Sequence, residues 1–275
     1  MTARARRDAA AGGYVDAGGL RVYYRDLGEG PPLVLVHGGL GTGDLWSEPA
    51  VAELARRHRV LIPDSRGHGR TGNPAGMLRY HQMADDVAAF AAALGLRRPL
   101  VLGYSDGAQV AVELGLRHPA LAAALVIGGV VTRPGEAYLR FLGELGFPEP
   151  GAVDLAEVER ALGDFFPVVR TAHRHARGGD ALRAYLAQIS ELWHSLRAYT
   201  DEELAGIGAP SLVIVGDRDF PSLDESLRLY RLLPRGELAV IPNADHAAVE
   251  RGPFWDPVMD FLSRQHPAGG EETAS

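Results

Sequence analysis

Apolar residues along the chain fall into two rhythms. Six short runs, at positions 33–36, 60–62, 100–102, 125–127, 212–215 and 238–241, are continuous and rich in Val, Ile and Leu, with Gly, Pro, Asp or Asn at their borders. Such runs predict strands buried on both faces. Between several of them the apolar spacing changes to three and four. Met83, Val87, Phe90, Ala91 and Leu94 stand at i, i+4, i+7, i+8 and i+11, and shorter versions of this pattern cover 222–233 and 254–262. That period is the stripe of a helix lying on a sheet. Strand, helix, strand in repetition predicts an α/β fold with a doubly wound, mostly parallel sheet. The segment 20–26 (LRVYYRD) alternates in character and predicts an antiparallel edge.

Between Thr132 and Gly208 the strand runs stop and helical spacing takes over, as in Leu182, Tyr185, Leu186, Ile189, Leu192, Trp193 and Leu196. Asp154 with Glu157, and Thr200 with Glu203, have the spacing of a capping box and mark two helix starts. The organisation expected is a core formed by 1–131 and 209–275, with 132–208 inserted as a helical cap. Such a block can serve as a lid or as a packing layer, and the pattern alone fits both. No internal repeat is visible.

Chemistry concentrates where the strand runs end. Gly103-Tyr104-Ser105-Asp106-Gly107 follows one run directly and precedes a helical pattern at Val110 and Leu114. This is the context of a nucleophile elbow, whose tight strand-to-helix turn tolerates only small residues two positions either side of the serine. Val36-His37-Gly38-Gly39-Leu40-Gly41 follows another run. Its glycines let a backbone amide turn inward, so the N–H groups of Gly39 and Asp106 are candidate oxyanion donors. Neither GxGxxG spacing nor a P-loop lysine supports a phosphate-binding turn there. His37 reads as shaping the loop. Two later runs are followed by Gly216-Asp217-Arg218-Asp219 and by Pro242-Asn243-Ala244-Asp245-His246. Ser105, one of the two aspartates and His246 therefore all lie just past strand carboxyl ends, the edge where open α/β sheets bind ligands.

Composition narrows the chemistry. The 275 residues are 46% hydrophobic and 23% charged, and a chain this long buries about 75% of its surface on folding. All 28 basic residues are arginine, so lysine Schiff bases and Ser-Lys dyads are excluded. The absence of cysteine excludes thiolate nucleophiles, thiolate metal sites and disulfides. A net charge of −7 argues against nucleic acid as a partner. No apolar run approaches the roughly 18 residues of a membrane span, and Arg4, Arg6 and Arg7 lead into Asp8 rather than a signal-peptide core. A cytoplasmic protein with a small-molecule substrate is expected, with the first dozen residues and the tail 267–275 disordered. His173-Arg174-His175 has no carboxylate or thiol beside it and does not read as a metal site. Trp193, Tyr185, Tyr138, Phe165 and Phe166 read as core, with some of them facing the cleft over Ser105.

With these residues in view the chain resembles the α/β-hydrolase superfamily from Leu20 to Leu262, and its Gly-aromatic-Ser-Asp-Gly elbow is most similar to the valacyclovirase or biphenyl-hydrolase-like esterases. The resemblance implies Ser105 as nucleophile, His246 as general base and acid, and Asp219 rather than Asp217 as the carboxylate that orients the imidazole. It implies a serine hydrolase acting on a small or medium carboxylic ester without a cofactor. The loop 64–71 resembles the family's loop after the next strand and reads as structural. Ala108 stands where a further glycine is common, and Asp245 where glycine usually precedes the histidine. Fold does not fix function. C–C bond hydrolysis, a lyase or cyclase step with the same three residues, and a slow or non-catalytic ligand receptor remain open readings. Asp106 carries two more: complementing the helix dipole, or pairing with a substrate cation.

Overall fold

The computed structural model describes residues 12–173 and 178–265. Eight strands form one sheet: β1 (Gly13–Ala17), β2 (Leu20–Leu27), β3 (Pro32–Val36), β4 (Arg59–Pro63), β5 (Leu100–Tyr104), β6 (Ala124–Gly128), β7 (Ser211–Gly216) and β8 (Gly236–Ile241). Their spatial order is β1-β2-β4-β3-β5-β6-β7-β8. β2 pairs antiparallel with both β1 and β4, and every later pairing is parallel. The alternating segment at 20–26 is thus one arm of an antiparallel hairpin at the sheet edge. Its other arm, β1, carries no apolar run and was not anticipated. The first eleven residues and 266–275 lie outside the described residues, as does nearly all of both segments expected to be disordered.

Side chains alternate across the pleat and fill two cores. Leu33, Leu35, Val60, Ile62, Leu100 and Leu102 pack beneath α1 (Glu48–Leu54) and α10 (Gly252–Gln265). Val34, Val36, Leu61, Val101 and Ile127 face the other way, toward α2 (Tyr80–Ala93) and α3 (Asp106–Arg117). Continuous apolar runs are what this requires, since a strand covered on both sides has no solvent face to signal. β8 departs from the expectation of full burial: it is the sheet's outer strand, most of its residues are half-buried, and Val240 is exposed.

The crossover from β6 to β7 carries α4 (Glu136–Glu144), α5 (Leu155–Leu162), α6 (Phe166–Ala172), α7 (Gly179–His194) and α8 (Asp201–Ala205). Thr200 closes a complete capping box with Glu203. At the other expected box only half forms: Asp154 accepts from the Glu157 N–H at 3.1 Å, while the Glu157 carboxylate turns to Arg160. After β7, α9 (Leu223–Leu232) returns the chain to β8.

The loop after β4 is built around Asp64, whose side chain is fully buried. Its oxygens accept from Gly43 N–H at 2.9 Å, Arg70 N–H at 2.8 Å, and the Arg70 guanidinium at 2.6 and 2.9 Å. Burial alone would raise its pKa, but these hydrogen bonds and the neighbouring charge hold it below the usual carboxylate range. Its stabilising contribution is therefore fully present at neutral pH and is lost as pH falls through and below that range. Asp64→Ala leaves the Gly43 N–H without its acceptor and the Arg70 guanidinium with Asp44 alone, at 2.7 Å, and is expected to cost about 2–3 kcal/mol in denaturant unfolding at pH 7, with a smaller difference from the parent in acid.

Candidate active site

Three loops at the carboxyl ends of β5, β7 and β8 meet at one point. His246 Nε2 lies 2.9 Å from Ser105 Oγ, and His246 Nδ1 lies 2.7 Å from Asp219 Oδ1. Ser105 occupies the turn between β5 and α3 with φ 56° and ψ −119°, a conformation that costs a non-glycine residue of order 1–3 kcal/mol. The turn is possible because its neighbours carry no side chain. A Cβ on Gly103 would stand 2.0 Å from Gly107 O, and one on Gly107 would stand 2.0 Å from Val36 O. Ser105 N–H donates to Gly128 O at 2.8 Å, tying the turn to the end of β6.

Each half of the imidazole is supported. The Asp219 side chain is fully buried, and its Oδ1 also accepts from Phe220 N–H at 2.8 Å. The Phe220 ring lies against His246 at 4.4 Å between centroids, and Tyr104 donates its hydroxyl to His246 O at 2.9 Å. Asp217 is elsewhere. It is exposed and accepts from Ala244 N–H at 3.1 Å, and backbone hydrogen bonds from Asn243 and Ala244 keep its pKa below the usual carboxylate value. It braces the β7 and β8 loops against each other. Asp245 is also exposed and accepts from Ala247 N–H at 3.0 Å, closing the turn after His246.

The glycine loop after β3 runs alongside. His37 donates from Nδ1 to Gly38 O at 2.8 Å and accepts at Nε2 from Ser65 N–H at 3.0 Å. Burial pushes its pKa down and keeps the ring neutral, so it is a loop brace, as its sequence position suggests. Gly39 and Asp106 face one another across the elbow, where a Cβ on Gly39 would stand 2.4 Å from Asp106 Oδ2. The Asp106 carboxylate accepts from Tyr80 OH at 2.9 Å and from Trp193 Nε1, 2.9 Å from Oδ2 and 3.1 Å from Oδ1. Burial raises its pKa, opposed by hydrogen bonds from Trp193 and Tyr80 and by the charge of His246. Tyr80 and Trp193 join the site through contacts 26 and 87 residues apart, which no local pattern announces.

Above these groups lies a cavity of about 260 Å³, near the small end of the range for ligand sites. Ser105, Asp106 and His246 line it, and the segment between β6 and β7 supplies Phe141, Leu142 and Leu145. Of the five aromatic residues singled out in this segment, Trp193, Tyr138 and Phe165 line the cavity, while Tyr185 and Phe166 are buried in the core. Gln109, one helical turn beyond Ser105, lines it as well and donates to Val131 O at 2.7 Å. Its place four residues after Ser105, on the same helix face, is a signal the sequence itself carries. His173 is buried, with Nδ1 accepting from Gly69 N–H and Nε2 bonded to Leu40 O, while Arg174 and His175 lie outside the described residues. No cluster of His, Cys, Asp or Glu able to hold a metal occurs among the described residues. No described helix is long and apolar enough to cross a membrane.

Comparison with known proteins agrees with this architecture. Residues 31–145, which include β3, the glycine loop and the elbow, match the family model of the alpha/beta hydrolase fold. A 2-hydroxy-6-oxo-2,4-heptadienoate hydrolase of Pseudomonas putida is 28% identical over 278 residues, covering 94% of this chain and 98% of that one. The chain has the α/β-hydrolase fold. The matches extend to enzymes of other kinds. A non-heme haloperoxidase of Rhodococcus erythropolis is 26% identical over 264 residues, covering 83% of this chain and 90% of the relative. The esterase RhEst1 from Rhodococcus sp. ECU1013 superposes with a TM-score of 0.71 at 26% identity, covering 94% and 100% of the two chains.

Proposed function

We propose that this protein is a serine hydrolase of small or medium carboxylic esters, with residues 132–208 serving as a cap over the site. The observation that carries the reading is the hydrogen-bonded chain from Ser105 through His246 to Asp219, with Ser105 and His246 lining a largely apolar cavity. With its Nδ1 proton held by Asp219, His246 offers an unprotonated Nε2 to the Ser105 hydroxyl. Ser105 Oγ attacks the ester carbonyl as His246 takes its proton, and the carbonyl oxygen gathers charge against the N–H groups of Gly39 and Asp106. The C–O bond to the alcohol then breaks, His246 returns its proton to the departing oxygen, and water releases the acyl group by the same route. None of these steps calls on a cofactor.

The likeness to a dienoate hydrolase supports a second reading, C–C bond hydrolysis with the same residues. The cavity favours the ester. Its described lining contains no arginine, and its one carboxylate besides the ligand's own would be Asp106, which repels an anionic substrate. A fluorophosphonate probe and a panel of neutral p-nitrophenyl esters provide the test. Labelling of Ser105 with rapid ester turnover supports the proposal; labelling without turnover transfers support to the C–C reading, and a wild-type protein that takes no label sinks both.

Asp106 sharpens the substrate class. It is buried beside the nucleophile, its hydrogen-bond partners are neutral, and it lines the cavity. An ammonium on the acyl group would supply the missing counter-charge, a charge-assisted contact of about 1.5–3 kcal/mol. Esters of amino acids are thus expected to exceed their N-acetyl analogues in kcat/KM by about tenfold or more, with Asp106→Asn erasing the preference. Equal values for the two substrates in the wild type would return Asp106 to a helix-terminal role.

A further inference from the structure

The Asp106 carboxylate has a second neighbour to answer for. Trp193 is the penultimate residue of α7, in the inserted segment between β6 and β7, yet its indole reaches the elbow. One edge donates to Asp106, and the ring closes over the glycine loop: a Cβ on Gly39 would stand 3.1 Å from Trp193 Cζ2. Gly39, the Asp106 carboxylate and the indole therefore form one packed group. Residue 193 is anchored further. Tyr138 donates its hydroxyl to the Trp193 backbone O at 3.2 Å, and Phe147 meets the indole edge-on with centroids 5.0 Å apart. Tyr80, the first residue of α2, also donates to Oδ1 of the Asp106 carboxylate.

We propose that Trp193 is a positioning residue: by holding the Asp106 carboxylate, which packs against Gly39, it sets the two backbone amides that receive the oxyanion, so that the site is competent only with α7 seated. The inference rests on the ester-hydrolase reading above and adds to it a dependence of the chemical step on the helical segment. An oxyanion donor works because it is aimed before charge develops, and a small misalignment is felt in the transition state far more than in substrate binding. Trp193 touches no reacting atom in this scheme. Its removal should therefore lower kcat and spare KM.

The test uses a neutral substrate, p-nitrophenyl butyrate, so that recognition of a substrate cation plays no part. Trp193→Phe keeps an aromatic ring, though a smaller one, and deletes the donor. It is expected to lower kcat by about tenfold or more, short of the 10²–10³ for deleting an oxyanion donor, with KM within about twofold. Because the indole acts through the carboxylate, the same substitution in an Asp106→Ala background should add less than about twofold. A residue that only supports the fold would instead contribute its full effect in both backgrounds. The proposal is overturned by Trp193→Phe with wild-type kcat, by a loss confined to KM, or by additive effects of the two substitutions. Should Trp193→Phe show no cooperative unfolding transition, Asp106→Ala decides alone: a lower kcat at unchanged KM supports the coupling, and an unchanged kcat overturns it. A wild-type protein with neither labelling nor turnover fails the hydrolase reading as well, whereas an active wild type with an undiminished Trp193→Phe fails this inference only.

Discussion

Asp219→Asn is expected to lower ester turnover by about 10⁴-fold, while Asp217→Asn leaves it within about twofold. Asp219 Oδ1 accepts from both His246 Nδ1 and Phe220 N–H, and its Oδ2 is buried with no hydrogen-bond partner among the described residues. An asparagine has no good orientation here. With its oxygen in the Oδ1 position, the amide NH₂ is buried without an acceptor and the imidazolium formed in the reaction has lost its counter-charge. Turned over, the NH₂ faces two donors and drives the imidazole proton to Nε2, the nitrogen that must accept from Ser105. Asp217 is exposed, and its loop-bracing hydrogen bond to Ala244 can be kept by an amide oxygen. Steady-state kinetics of the two variants on one ester checks the assignment; the reverse ranking would hand the role to Asp217.

Gly107→Ala should be nearly as damaging, for a steric reason. The added methyl would lie 2.0 Å from Val36 O and 2.8 Å from His37 O, both backbone atoms of a central strand and the loop beyond it. Neither can yield without moving the elbow or the glycine loop. A displacement of about 1 Å at the nucleophile is worth about 10² in rate, and overpacking of this kind costs about 1–3 kcal/mol. Turnover, fluorophosphonate labelling and Tm should all fall together. Gly135→Ala is the control, because a Cβ there meets nothing within 4 Å and the backbone is extended. If both alanines behave alike, the elbow does not depend on close approach at 107.

The same residues explain what could be read in advance. The convergence of Ser105, Asp219 and His246 was legible because each follows a short apolar run by a few positions, and parallel strands deliver their carboxyl ends to one edge. Gly103 and Gly107 were legible because a tight turn leaves a fixed spacing of small residues. β1 was not, since a five-residue outer strand reading GYVDA is held by its hairpin partner rather than by an apolar run. β8 was overestimated as a buried strand because sequence does not say which strand lies outermost. Tyr80 and Trp193 could not be assigned to Asp106, because the helices carrying them are brought to the elbow only by tertiary packing. Their sequence neighbours look like ordinary helix.

The buried carboxylate beside Ser105 also bears on how the proposed cycle would end. On the ester reading, hydrolysis leaves an acid that ionises at neutral pH, and the new negative charge arises in the cavity that Asp106 lines. That charge offsets the hold of Asp106 on a cationic acyl group, so the product is held less tightly than its precursor. Turnover should suffer little inhibition by the accumulating acid, and departure of that fragment should gain speed once its proton is shed.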